Sequence, residues 1–144
     1  MAGREVLIKA VIQSIPTYTM SLFKLPMSFV NSIHGMCARF WWGGDDTKQK
    51  MHWCTWGRLW WHKEDGGMGF RDLHLFNQAM LAKQAWRLYD DPSSLAAKVL
   101  KGLYHRKKPF GSMVKSKNGS FVWKNILWGK ELFDAGSIWR VGKR

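Results

Sequence analysis

The chain is 144 residues long, enough for a single domain that buries most of its unfolded surface, and its 46% apolar content excludes the composition of a disordered segment. No apolar run is long enough for a secretory signal or a membrane span, so no membrane partner is expected. Two cysteines, Cys37 and Cys54, give no disulfide framework and fit a reducing, intracellular setting, while a net charge of +13 points to a polyanion partner.

The charge is uneven, with +3 over residues 1–40, +1 over 41–99 and +9 over 100–144. The basic third holds Arg106-Lys107-Lys108 and then Lys115 and Lys117, a clustering suited to phosphate neutralisation. The alternative is a solvated basic surface with no specific ligand. Ten tryptophans are too many for a chain this size to hide completely. Part of the Trp-bearing surface is therefore expected to pack against a partner or a further domain.

In chain order, Leu7, Val11, Ser14, Tyr18 and Leu22 recur at helical spacing, widened by Ile8, Ile15 and Met20. Pro16 should kink or divide that helix. Pro26 suits the first turn of a second helix, with Phe29, Ile33, Met36 and Phe40 inward and an end near Trp42 at the Gly43-Gly44-Asp45-Asp46 breaker. Residues 51–62 leave room for a short strand and one helical turn. After Gly66, Gly67 and Gly69, Asp72 is a good N-cap for a helix lined by Leu75, Ala79, Ala82, Trp86 and Tyr89. Asp91-Pro92 starts another, with Leu95, Val99, Leu100 and Leu103 inward and Lys98 and Lys101 outward. Residues 105–119 read as an exposed basic loop, and Asn118-Gly119-Ser120 as a turn. Ser120 caps a last helix with Val122, Ile126 and Phe133 on one side. The expected fold is mainly α, a compact helical bundle with short irregular or strand segments, in one domain over 1–144.

Motifs for chemistry fail on their surroundings. Asp45-Asp46 resembles the paired carboxylates of two-metal polymerases, but Thr47-Lys48-Gln49-Lys50 follows and Glu5 is the only acid before it. His34 with Cys37, or His52 with Cys54, gives weak zinc spacing, and Cys37 is explained as a buried small hydrophobe. The Gly66–Gly69 turn lacks the phosphate-loop order; phosphate held at the next helix N-terminus stays open as a minority reading. Cys54 beside His52 sits among tryptophans, an unsuitable place for a nucleophile. No cofactor, metal site or catalytic residue is expected.

Three blocks carry a family resemblance. AGREVLIKAVIQSIPTYTMSLFKLP with FWWG, then KEDGGMGFRDLHLFNQAMLAKQAWRL, then SFVWKNILWGKELFDAGSIWRVG resemble, in that order, the region just after the palm of plant LINE-type, non-LTR retrotransposon reverse transcriptases. The resemblance covers nearly the whole chain. It implies a thumb/connection-like piece of an RNA-directed DNA polymerase, ahead of zinc-binding and RNase H-like modules and without the catalytic aspartates. Partners implied are an RNA or DNA duplex or single strand, and the absent palm or zinc-binding domains. His62 stands where the family usually shows Pro. Lys143-Arg144 replace its usual ending, and Met1 opens inside a helix-forming block, which together suggest a truncated frame in nuclear or organellar DNA. Arg4, Lys9, Lys101, Arg106, Lys107, Lys108, Lys115 and Lys117 are the candidate phosphate contacts. A decayed or structural remnant with no function of its own is the competing reading.

Overall fold

Pro16 decides how the chain begins. A proline has no N–H to give, and its ring crowds the carbonyl four residues earlier, so regular helical winding fails just ahead of it. In the computed structural model, which describes residues 2–43, 50–106, 108–113 and 119–138, α1 (Ala2–Leu7) passes into a π-helical stretch at Ile8–Ile12. The Gln13 N–H donates five residues back to Ile8 O at 2.9 Å. A turn then leads to α2 (Thr17–Leu22). This altered winding keeps Ile8 and Met20 of the expected stripe inside and turns the rest of it outward. Ile8, Gln13, Pro16 and Met20 are buried, whereas Leu7, Val11, Ile15 and Tyr18 are exposed.

Helix α3 (Met27–Trp42) starts where the Pro26 carbonyl accepts from Phe29 and Val30, and it stops at Gly43, whose φ of 73° closes the last turn. Its buried face is Val30, Ile33, Cys37, Ala38 and Trp41, not the expected Phe29, Met36 and Phe40, which are exposed. Both sets fit a helical period. The choice is made by tertiary contact: Trp41 meets Phe70 edge-on at 5.2 Å.

No strand occurs among the described residues, which corrects the short-strand expectation for 51–62. That segment forms a 3₁₀ turn at Trp56–Trp60. Its backbone groups are used by the glycine turn instead of a ladder. Met68 and Phe70 N–H donate to Leu59 O, and Gly69 N–H donates to Trp61 O at 2.8 Å. Gly66 and Gly69 take the positive φ values this turn requires. Asp72 then caps α4 (Leu73–Asp90), accepting from His74 N–H at 2.8 Å.

Along α4 the fully buried residues are Leu73, Asn77, Leu81 and Ala85, four apart. This face is rotated from the expected one: Leu75 and Trp86 are exposed, and Trp86 leans on Phe133 at 5.5 Å. Ser94, not Asp91, caps α5 (Leu95–Tyr104), accepting from Ala97 N–H. Asp91 instead bonds Ser93 in a local turn. Ala97 is buried and Leu100 half-buried, while Leu95, Val99 and Leu103 point to solvent, contrary to the sequence reading. Helix α6 (Phe121–Gly136) is capped by Ser120 as expected, and it buries Trp123, Ile126 and Leu127. Val122 stays exposed.

The fold comprises two compact units, Met1–Thr19 with Leu25–Asn77, and Met20–Lys24 with Gln78–Arg144. The first is built on Ile8, Val30, Ile33, Trp41, Phe70 and Leu73. The second is built on Ala85, Phe110, Trp123, Ile126 and Leu127, with Leu88, Tyr89, Leu100 and Tyr104 packed against them. No helix among the described residues is long and apolar enough to cross a membrane.

Candidate nucleic-acid interface

The five described candidates among the eight phosphate contacts divide between the units. Arg4 and Lys9 belong to the first and are engaged there. Arg4 Nη1 donates to Trp41 O at 3.1 Å, and its guanidinium faces the Phe40 ring, so it serves the C-terminus of α3. Lys9 Nζ donates to Glu5 and to Met68 O, at 2.8 and 2.7 Å, and lies over Phe70. Glu5 also pairs with Lys63 at 2.8 Å, and the two ammonium groups, Lys63 first, hold its carboxyl down at about 2.

Lys101, Arg106 and Lys108 belong to the second unit and are exposed. Lys107, Lys115 and Lys117 lie outside the described residues, as do Asp45 and Asp46. Helix α5 brings Lys101 to its last turn, and Arg106 Nε donates back to Gly102 O at 2.8 Å. Among the described residues none of the three has an acidic partner.

Two depressions share His105 and Lys108. One, about 240 Å³, is walled by Tyr89, Leu100 and Phe110, with Lys101, His105 and Lys108 around it. The other is wider and open, about 730 Å³, with Tyr104, Arg106 and Met113 in its lining. Trp123 fixes this ground from beneath. Tyr104 and His105 both lie nearly parallel to its indole, at 5.0 and 5.6 Å, and Phe110 meets it at 5.9 Å. His105 Nδ1 donates to Lys108 O at 3.1 Å. Lys130 is 3% exposed, pairs with Asp134 and donates to Gly111 O at 3.0 Å, tying the turn Phe110–Ser112 to α6. Sequence reasoning passes over Tyr104 and His105. Their signal is present, two rings directly before Arg106-Lys107-Lys108, the interleaving of aromatic and basic residues that single-strand binding uses.

His34, Asp72 and Cys37 serve the fold. Leu73 N–H donates to His34 Nε2 at 3.2 Å, while Asp72 takes the His74 and Leu75 amides, so the α4 N-terminus already has its acceptors. Burial raises the Cys37 thiol to about 11, away from the thiolate a metal would need. No three His, Cys, Asp or Glu gather around a metal-sized space among the described residues.

No family model matches the chain, and no solved structure matches it. Over 133 residues the chain is 37% identical to the uncharacterized mitochondrial protein AtMg00310 of Arabidopsis thaliana, an alignment covering 90% of this chain and 84% of that protein. It is also 33% identical to the putative ribonuclease H protein At1g65750 of the same plant, over 98% of this chain but 23% of that protein.

Proposed function

This chain belongs to the family of the uncharacterized mitochondrial protein AtMg00310, and we propose that it is a noncatalytic, thumb/connection-like piece of a retrotransposon RNA-directed DNA polymerase that binds nucleic acid irrespective of sequence. The three ordered sequence blocks support the polymerase origin. So does similarity confined to 23% of a much longer protein described as a putative ribonuclease H, a relation suited to one segment of a multi-part polypeptide. A relative described as mitochondrial favours an organellar setting over a nuclear one.

The observation that carries the binding proposal is the exposed trio Lys101, Arg106 and Lys108, without acidic partners among the described residues and next to Tyr104 and His105. Cations would neutralise phosphates and release counterions, with no reading of base edges. Lys107, Lys115 and Lys117 add charge nearby in the sequence and lie outside the described residues, whereas Arg4 and Lys9 hold the first unit together. We assign no catalytic step. Phosphoryl-transfer chemistry of the two-metal kind needs converging carboxylates, and the one acid in residues 1–44, Glu5, is ion-paired to Lys9 and Lys63.

Filter binding across a range of salt concentrations tests this proposal. Affinity that falls steeply with salt, alike for unrelated sequences, is the expected result; no retention at low salt would overturn it. The rival reading, a remnant basic only by inheritance, draws on Arg4, Lys9 and Arg106, each of which already satisfies a backbone carbonyl.

A further inference from the structure

The smaller depression has features that a simple basic surface does not need. We propose that it receives one unpaired nucleobase, with the adjoining phosphate held by Lys101 and Lys108. This deepens the nucleic-acid reading above and rests on it.

Size comes first. At about 240 Å³ the cavity falls below the roughly 300–1,000 Å³ of pockets for drug-sized ligands, so its occupant is a single small ring system. A base inside a duplex is paired and stacked, and cannot enter without being taken out of the helix. The cavity therefore selects single strands, frayed ends or loops.

Chemistry comes second. Tyr89 and Phe110 contribute aromatic atoms to the lining and Leu100 an aliphatic wall, an apolar surround that suits the ring of any base. His105 adds a polar edge. Its Nδ1 carries the proton given to Lys108 O, so in the neutral ring Nε2 is the remaining acceptor. Lys101 and Lys108 stand at the same cavity, without acidic partners among the described residues. An apolar hole beside these two cations matches a nucleotide, apolar in its base and anionic in its phosphate.

Preorganisation comes third. The wall at Phe110–Ser112 is fastened by buried Lys130 through the Gly111 carbonyl, and His105 is stacked on Trp123. The site is formed before a ligand arrives, which reduces the cost of ordering it on binding.

The test compares a short oligothymidylate with the same sugar-phosphate strand lacking its bases, by fluorescence anisotropy on the intact chain at low salt. The wild type should bind the oligothymidylate about tenfold more tightly. Gly111→Met should abolish that preference while leaving the abasic strand's affinity unchanged. A Cβ at Gly111 would find its nearest neighbour, Tyr89 Cε2, at an ordinary 3.8 Å, so the backbone accepts the change and the longer side chain fills the space beside Tyr89. Equal binding of both strands by wild type, a comparison that needs no variant, overturns the base pocket while leaving general phosphate binding intact. A preference that survives in a folded Gly111→Met variant overturns its location. Failure of both strands to bind overturns the underlying nucleic-acid reading and the pocket with it.

Discussion

A Cβ placed on Gly67 would stand 2.0 Å from the Trp61 carbonyl oxygen and 2.4 Å from its carbonyl carbon. The glycine turn is thus pressed against the backbone of the aromatic stretch, and only a residue without a side chain fits. Gly67→Ala should cost about 1–3 kcal/mol or more, since both neighbours are backbone and neither can move alone. Gly35, inside α3, supplies the contrast, because a Cβ added there would meet nothing within 4 Å. Replacement by Ala at that position should stabilise by about 0.5–1 kcal/mol. Urea unfolding of both variants checks the pair; equal effects would contradict the close approach at Trp61.

His34 links α3 to the start of α4 by accepting from Leu73 N–H at 3.2 Å. Burial lowers its pKa from the ordinary 6.5, with Asp72 opposing. The unfolded chain then takes up the proton more readily than the folded one. Stability from this contact is complete above pH 6.5 and is lost as pH falls through the lowered folded value. Titration of the His34 ring by NMR should give a midpoint below 6.5; one at or above it would contradict this arrangement.

Glu5 sits between Lys63 and Lys9, each at 2.8 Å, and those ion pairs lower its carboxyl from the ordinary 4.5 to about 2. The sign is that of a depressed acid, with the contribution complete above pH 4.5 and lost as pH falls toward 2. Glu5→Gln should be less stable than wild type at neutral pH, and the two melting temperatures should converge near the acid end. Parallel curves across the whole range would contradict the pairing.

Cys37 and Cys54 should differ sharply toward thiol reagents. Cys37 is 1% exposed with its thiol raised by burial, whereas Cys54 is half-buried. One thiol per native chain should react quickly with Ellman's reagent and the second only on unfolding. Cys54→Ser should remove the fast phase. A fast phase that persists in that variant would contradict the burial of Cys37.

These local relationships differ in how far the sequence exposes them. Punctuation is legible except at Asp91, where Ser94 takes the cap: Gly43 ends α3, Asp72 and Ser120 cap their helices, and Pro16 breaks the first one. Each acts through its own backbone or an adjacent hydrogen bond. Helix faces are not, because α3 and α5 have apolar residues over more than half their circumference. In α5, Leu95, Val99 and Leu103 satisfy the same period as Ala97, Leu100 and Tyr104. The second set wins because Tyr104 stacks on Trp123, about nineteen residues further along the chain, which no local spacing contains. The basic loop is visible as charge. Its aromatic companions gain meaning only once Tyr104 and His105 are both found stacked on Trp123.

Binding of duplex and single-stranded nucleic acid by wild type and by an Arg106→Gln/Lys107→Gln/Lys108→Gln variant, each over a range of salt, tests the nucleic-acid proposal head-on. Wild-type affinity should fall steeply as salt rises, and the variant should bind more weakly, with a slope shallower by about one unit for each residue that contacts phosphate. An unchanged affinity and slope in the variant would contradict phosphate binding by the basic loop.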